Sequence, residues 1–201
     1  MSKQRPHALF LLGLLLLAAQ RLLEVRVSER HATAMLRRGG REHAPRQYQI
    51  MKALHGSWFV AMLLEVVLLR RQPRRALVAL AAVLFALGQA LRYAAIRSLG
   101  ERWTARVITL PGAPPVTRGV YRYLRHPNYL GVALEIAAFP LLHSAAFTAL
   151  VSSVANLLLL RARIRVEEQA LATDNDYLSY AAQGQLRRLR GLRSQKRAPV
   201  P

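Results

Sequence analysis

The chain has 201 residues, with 30 Lys and Arg against 10 Asp and Glu for a formal net charge of +20, yet 53% of its residues are hydrophobic. Its mean hydropathy is positive, which excludes a highly charged soluble domain and a disordered basic chain, so the charges must be segregated from long apolar runs. The length is that of one ordinary domain or two small ones, and the absence of Cys removes disulfides, thiolate nucleophiles and Cys-based zinc or iron sites.

Taken in chain order, residues 8–20 carry no charge, residues 53–69 carry only Glu65, residues 76–91 carry none, and residues 129–160 carry only Glu135. A bilayer core takes about 20 apolar residues per helix, roughly 17 at the short end, so several segments must borrow their Arg-bearing ends. The pattern predicts an all-α integral membrane protein of about five hydrophobic helices, near residues 8–25, 51–69, 76–96, 128–142 and 144–161. The last two form a helical hairpin whose turn falls at Pro140, His143 and Ser144. A rival for the first segment is a cleaved signal peptide, with Lys3 and Arg5 before an apolar run ending Ala18-Ala19-Gln20. The arginines punctuate the apolar runs instead of covering one amphipathic face, which argues against nucleic acid as a partner.

Arg70, Arg71, Arg74 and Arg75 crowd one loop and residues 97–125 hold another basic stretch, so the positive-inside rule is frustrated. The uncharged turn near His143 points away from the cytosol, which puts residues 97–127 and the C-terminal arm together on the cytosolic side. The organisation expected is N-terminal transmembrane helices over 1–84, a catalytic region over 85–182 in the same membrane domain, and a basic tail over 183–201.

Two polar regions hold the candidate chemistry. The first is Gly119-Val120-Tyr121-Arg122-Tyr123-Leu124-Arg125-His126-Pro127-Asn128-Tyr129-Leu130-Gly131, which leads into the fourth apolar segment. Pro127 suits the first turn of a helix, and the free N–H groups after it could hold an anionic group. Read alone, the same cluster fits an aromatic and basic belt anchoring a helix end at the membrane surface. The second is Arg161-Ala162-Arg163-Ile164-Arg165-Val166-Glu167-Glu168-Gln169-Ala170-Leu171. Arg163 and Glu167 share a helix face and Glu168 lies about 100° further round, which read alone fits a solvated, salt-bridged helix end. The apolar lead-in predicts one continuous helix over residues 145–171.

Together the two regions resemble the isoprenylcysteine carboxyl methyltransferase family, within a wider membrane methyltransferase group that includes phospholipid N-methyltransferases. Gly88-Gln89-Ala90-Leu91-Arg92, Leu99-Gly100 and Tyr177-Leu178-Ser179-Tyr180 extend the likeness over about residues 85–182. The resemblance implies an all-helical enzyme that uses S-adenosylmethionine in a pocket outside any Rossmann fold, and no G-x-G-x-x-G turn occurs here. Carried over by position, His126, Pro127, Tyr129 and Gly131 correspond to the cofactor-binding run, Val116 and Tyr121 line the approach, and Glu167 and Glu168 close the pocket. Arg163 corresponds to the arginine that orients the acceptor, with Glu167 beside it, although Arg161 and Arg165 compete for that role.

Ionisable groups within apolar helices are costly and face an interior or cavity, which makes His55, Glu65, Arg92 and Glu135 candidates for an acceptor tunnel. The plainer reading is that Arg92 pairs with Glu65 or Glu135 as structural glue. No H-E-x-x-H or similar metal spacing occurs among the six His. A lipophilic acceptor would enter sideways from the bilayer while cofactor enters from the cytosolic face. The chemistry leaves open a carboxylate on a prenylated cysteine or the hydroxyl of a phenolic or pyrone lipid, with O-methylation of a small lipophilic acceptor preferred. The alternatives are a phospholipid N-methyltransferase, or a non-catalytic membrane protein that binds anionic lipids through Arg187, Arg188, Arg190, Arg193, Lys196 and Arg197.

Overall fold

The computed structural model describes residues 5–69, 71 and 73–175. The basic tail and the Tyr177–Tyr180 run lie outside the described residues. Five helices, α1 (Arg5–Arg37), α2 (Pro45–Leu68), α3 (Arg75–Leu99), α4 (Pro127–Leu141) and α5 (Ala146–Asn175), account for most of the chain. A two-stranded antiparallel ribbon joins β1 (Arg41–His43) to β2 (Val107–Thr109), with Glu42 opposite Ile108. Short 3₁₀ turns lie at Gly100–Arg102 and Gly119–Arg122.

Four helical stretches, Ala8–Arg37, Pro45–Leu68, Arg75–Arg102 and Ala146–Asn175, are long and apolar enough to cross a membrane. The expected fifth crossing differs: α4 has 15 residues and at 1.5 Å per residue covers about 22 Å, short of a hydrocarbon core of about 30 Å. α4 and α5 do form the expected hairpin, turned by Leu142 to Ala145 with Ser144 in the left-handed region. α5 continues without a break through Leu160 and Glu167.

Contacts sort the loops onto two ends. At one end, the Phe10 ring packs tilted against His143 with centroids 4.6 Å apart, the Arg74 N–H donates to Ser144 Oγ at 3.3 Å, and Glu65 meets the start of α5. At the other, the ribbon, residues 100–126 and the C-terminal end of α5 gather, with the Gly112 N–H donating to the Asp174 carbonyl at 2.9 Å. The basic loop near residue 71 and the stretch 97–127 therefore lie at opposite ends.

The core between the ends is apolar: Phe10, Leu14, Leu17, Trp58, Met62, Val66, Val132, Ile136 and Phe139 form one cluster. Leu12, Leu15, Leu64, Leu80, Leu87, Leu150 and Leu158 remain exposed, as lipid-facing residues must in a protein whose solvent is hydrocarbon. Small residues bring α3 and α4 together. A Cβ on Gly131 would lie 2.6 Å from Arg92 Cγ and 2.8 Å from the Gly88 carbonyl oxygen, and a Cβ on Gly88 would lie 2.9 Å from the Gly131 carbonyl oxygen.

Pro140, inside α4, has no N–H to give the carbonyl of Ile136 one turn earlier. The Trp58 indole of α2 donates to that carbonyl instead, at 3.2 Å. Glu65, also on α2, accepts from the Phe147 N–H at 3.3 Å and the Thr148 N–H at 2.7 Å, and pairs with Arg71 at 3.2 Å. It therefore caps the N-terminus of α5, where a carboxylate opposes the positive end of the helix dipole.

Candidate active site

Pro127 opens α4 and His126 precedes it as the capping residue. Gly119, at φ 59°, turns the chain into the preceding 3₁₀ segment, and a Cβ there would meet Ser98 Oγ at 2.2 Å, so that position needs glycine. From these positions His126 and Tyr129 present stacked rings 5.5 Å apart toward α5.

α5 answers with Arg163, Glu167 and Glu168. His126 Nε2 lies 3.1 Å from Glu168 Oε1. The Tyr129 hydroxyl donates to the Glu167 carboxylate and accepts from Arg163 Nε at 3.0 Å. Arg163 and Glu167, one turn apart, are thus joined through the phenol of another helix. The second anchor of Arg163 is the Ala105 carbonyl, which accepts from its Nη2. Arg163 is 3% exposed, whereas Arg161 and Arg165 on the same helix are exposed, so the three arginines are not equivalent: one reaches the interior.

The loop carrying Ala105 is fixed by the second half of α1. Ser28 Oγ accepts from the Ala105 N–H at 2.7 Å, a ring nitrogen of His31 lies 2.9 Å from the Trp103 carbonyl oxygen, and Arg106 pairs with Glu42 and with Glu29. The hydrogen bond to Glu42, with its charge and that of Glu29, holds the Arg106 guanidinium above its ordinary value despite some burial. Below this loop the ribbon clasps the end of α5. Thr109 Oγ1 donates to Asp174, Arg41 pairs with Asp174 at 3.2 Å and His43 Nε2 lies 3.3 Å from it, while Asn175 donates to the carbonyls of Leu110 and Ala113 at 2.6 Å.

These elements enclose a cavity of about 1360 Å³, lined by Val116, Tyr121, His126, Tyr129, Arg163 and Glu167 on its polar side, and by His55, Trp58, Arg92 and Glu135 further in. Burial and then the Glu167 carboxylate push the Tyr121 phenol above its ordinary range, so it stays protonated through neutral pH. Glu65, Pro127, Gly131 and Glu168 are not among the lining residues. Glu65 is occupied as the α5 cap and not in a tunnel; Gly131 sits at the α3–α4 crossing; Glu168 reaches the site through His126.

In the inner half, Arg92 donates to Glu24 and lies 3.4 Å from Glu135, while Arg21 pairs with Glu24 and, at 2.6 Å, with Glu135. Gln20 and Gln89 hydrogen-bond across to each other at 2.9 Å. Of the two partners expected for Arg92, Glu135 is correct and Glu65 is not. Arg21 and Glu24 escaped the sequence reading because two charges at a helix end look solvated until their partners on α3 and α4 are known. Trp103, Ala105 and Asn128, which also line the cavity, were missed too. A backbone acceptor leaves no sequence signal, and Asn128 sits inside the motif without a charge to mark it.

The fold and site define a multi-pass helical bundle with a polar cavity at one end, built from an R-H-P-x-Y-x-G helix start and an Arg and Glu pair on the next helix. Residues 77–173 match the isoprenylcysteine carboxyl methyltransferase (ICMT) family. The chain is 34% identical over 163 residues to the uncharacterized protein YpbQ of Bacillus subtilis (strain 168), covering 81% of this chain and 96% of that protein. It is 29% identical over 159 residues to an uncharacterized protein of Haemophilus influenzae, covering 77% of this chain and 90% of that one. The chain belongs to the isoprenylcysteine carboxyl methyltransferase family, and membership implies a methyltransferase held in the membrane by several helices.

Proposed function

We propose that the protein transfers a methyl group from S-adenosylmethionine to an oxygen of a small lipophilic acceptor that enters from the bilayer. The observation that carries this reading is the Tyr129 hydroxyl, which ties Arg163 to Glu167 on the wall of a cavity of about 1360 Å³. A pocket for one small molecule typically measures about 300–1,000 Å³, so this one has room for a donor and an acceptor together.

The residues suit such a donor. S-adenosylmethionine supplies a methyl group on a sulfonium sulfur, a cation that aromatic faces and carboxylates attract. Tyr121, Tyr129 and Glu167 provide both, and Asn128 Oδ1 and Trp103 Nε1, buried with no hydrogen-bond partner among the described residues, belong to side chains that line the same cavity. His126, held by Glu168, forms the cytosolic lip. Arg163 orients the acceptor oxygen, with its own direction set by Tyr129 and Ala105. The reaction needs alignment and exclusion of water more than proton traffic at the donor, and apolar walls with buried anchors supply both.

Calorimetry on detergent-purified protein tests the assignment. His126→Ala should weaken S-adenosylmethionine binding, whereas Arg163→Ala should leave it nearly intact while lowering turnover roughly a hundredfold. Loss of cofactor affinity in Arg163→Ala, or its retention in His126→Ala, would reverse the roles.

A further inference from the structure

Among the α-helical glycines of the described residues, Gly56 is the one its neighbours do not require. A Cβ on Gly88 or Gly131 would collide at the α3–α4 crossing, and one on Gly13 would lie 3.7 Å from Phe139, whereas a Cβ on Gly56 would meet nothing within 4 Å. Glycine inside a helix loses more chain entropy on folding than alanine and adds no contact. Gly56 nevertheless stands near the middle of α2, where it is exposed and also lines the cavity.

The helices on either side of this point are held together above and below it. At the ribbon end the Tyr48 hydroxyl of α2 donates to Glu29 of α1 at 2.8 Å. Toward the other end Phe10, Leu14 and Leu17 of α1 share one apolar cluster with Trp58, Met62 and Val66 of α2. Between these two joins the cavity is lined by Ala18, Leu22 and Val25 from α1 and by Met51, Lys52 and Gly56 from α2. Leu22 is 63% exposed although it lines the cavity, so cavity and outer surface meet there. Both Leu22 and Gly56 belong to helices apolar enough to span, and the exposed Leu23 and Val60 beside them are apolar too, so the opening faces hydrocarbon. The charges that border it are engaged elsewhere: Arg21 and Glu24 with Glu135 and Arg92, and Lys52 over the Tyr48 ring at 4.6 Å.

We propose that α1 and α2 form a lateral slot through which a single long hydrocarbon chain passes from the bilayer into the cavity, with Gly56 as its threshold. This rests on the methyl-transfer reading above and adds to it the acceptor's route and the residue that sets which chains pass. The polar end of the acceptor reaches Arg163 and Tyr129 while the chain trails over Gly56 into lipid. A hydrogen at position 56 leaves the width that the chain occupies, and any larger side chain there narrows it without touching the rest of the bundle.

The test uses the full chain in nanodiscs as wild type, Gly56→Ala, Gly56→Leu and Val83→Phe, the last a lipid-facing control on α3 at a residue 58% exposed and outside the cavity lining. Chain entry is read without catalysis. Trp58 is 4% exposed and lines the cavity, and Trp103→Phe leaves it as the single tryptophan. In that background a dibrominated long-chain alcohol added to the bilayer should quench Trp58 fluorescence in wild type and in Val83→Phe. Gly56→Leu should need several-fold more alcohol, with Gly56→Ala between. In the unaltered background, methyl transfer from S-adenosylmethionine to a limiting lipid extract should fall about tenfold in Gly56→Leu, while calorimetric cofactor affinity stays within about twofold. Open space and better helix formation should raise the unfolding midpoint of both Gly56 variants by about 2–4 °C, which separates lost entry from lost folding. Unchanged quenching in Gly56→Leu overturns the slot. So does a lowered midpoint or weakened cofactor affinity, because residue 56 would then be a packing position. Quenching lost with methyl transfer unchanged overturns the slot as the acceptor's route. Quenching that depends on Gly56, with no methyl transfer by wild type, overturns the methyl-transfer reading alone and leaves a slot that admits lipid chains.

Discussion

Gly131→Ala separates two readings of one glycine, as part of the cofactor-binding run or as a packing residue between α3 and α4. The added Cβ would stand 2.6 Å from Arg92 Cγ, 2.8 Å from the Gly88 carbonyl oxygen and 3.2 Å from the Arg92 N. An ordinary contact begins near 3.4 Å, and two of these three neighbours are backbone. A side-chain rotation therefore cannot relieve the overlap, and α3 must move away from α4 by a sizeable fraction of an ångström. Overpacking of this kind costs about 1–3 kcal/mol. The upper part of that range applies because Arg92, with its ties to Glu24 and Glu135, must shift too. Thermal unfolding in detergent, followed by circular dichroism, should show the midpoint falling by roughly 5–10 °C. Gly88→Ala should produce a similar drop and the double variant less than the sum, since helices already apart admit the second methyl more cheaply. Unchanged stability together with lost S-adenosylmethionine affinity would refute the packing argument and return Gly131 to the cofactor pocket.

Other substitutions reach separate parts of the structure. Glu65→Ala removes the cap of α5 and the partner of Arg71, so the unfolding midpoint should fall with a loss of about 1–2 kcal/mol while calorimetric cofactor affinity stays unchanged. Asp174→Ala frees Thr109, Arg41 and His43 together, and limited proteolysis should then cut near residues 107–113 at least several-fold faster than in wild type. Among the arginines of α5, Arg163→Ala should abolish most methyl transfer, whereas Arg161→Ala and Arg165→Ala, both at exposed positions, should stay within about threefold of wild type in the same assay.

Legibility followed range. Local signals were clear: apolar runs placed α2, α3 and α5, Pro127 marked the start of α4, and the Arg163–Glu167 spacing put both on one helix face. Long-range partners were not. The first helix was expected to stop near residue 25, soon after the apolar run ends, yet it runs to Arg37, where Arg92, Arg106 and Tyr48 meet the carboxylates of Glu24 and Glu29. α4 was expected to span because the apolar run from residue 129 to 160 carries only Glu135, whereas Pro140 and the left-handed Ser144 end it after 15 residues. Glu65 looked like a tunnel residue only because its duty, two N–H groups of α5, lies more than 80 positions away.

Methyl transfer itself is read by the movement of label. Purified protein in mixed micelles is incubated with S-adenosylmethionine carrying a tritiated methyl group and with a lipid extract or long-chain alkylphenol, and the organic phase is counted. Tritium is expected in the organic phase with wild-type protein, and background counts with Arg163→Ala and, at limiting cofactor, with His126→Ala. Background counts with the wild type across both acceptor sources, or undiminished counts with Arg163→Ala, would contradict it.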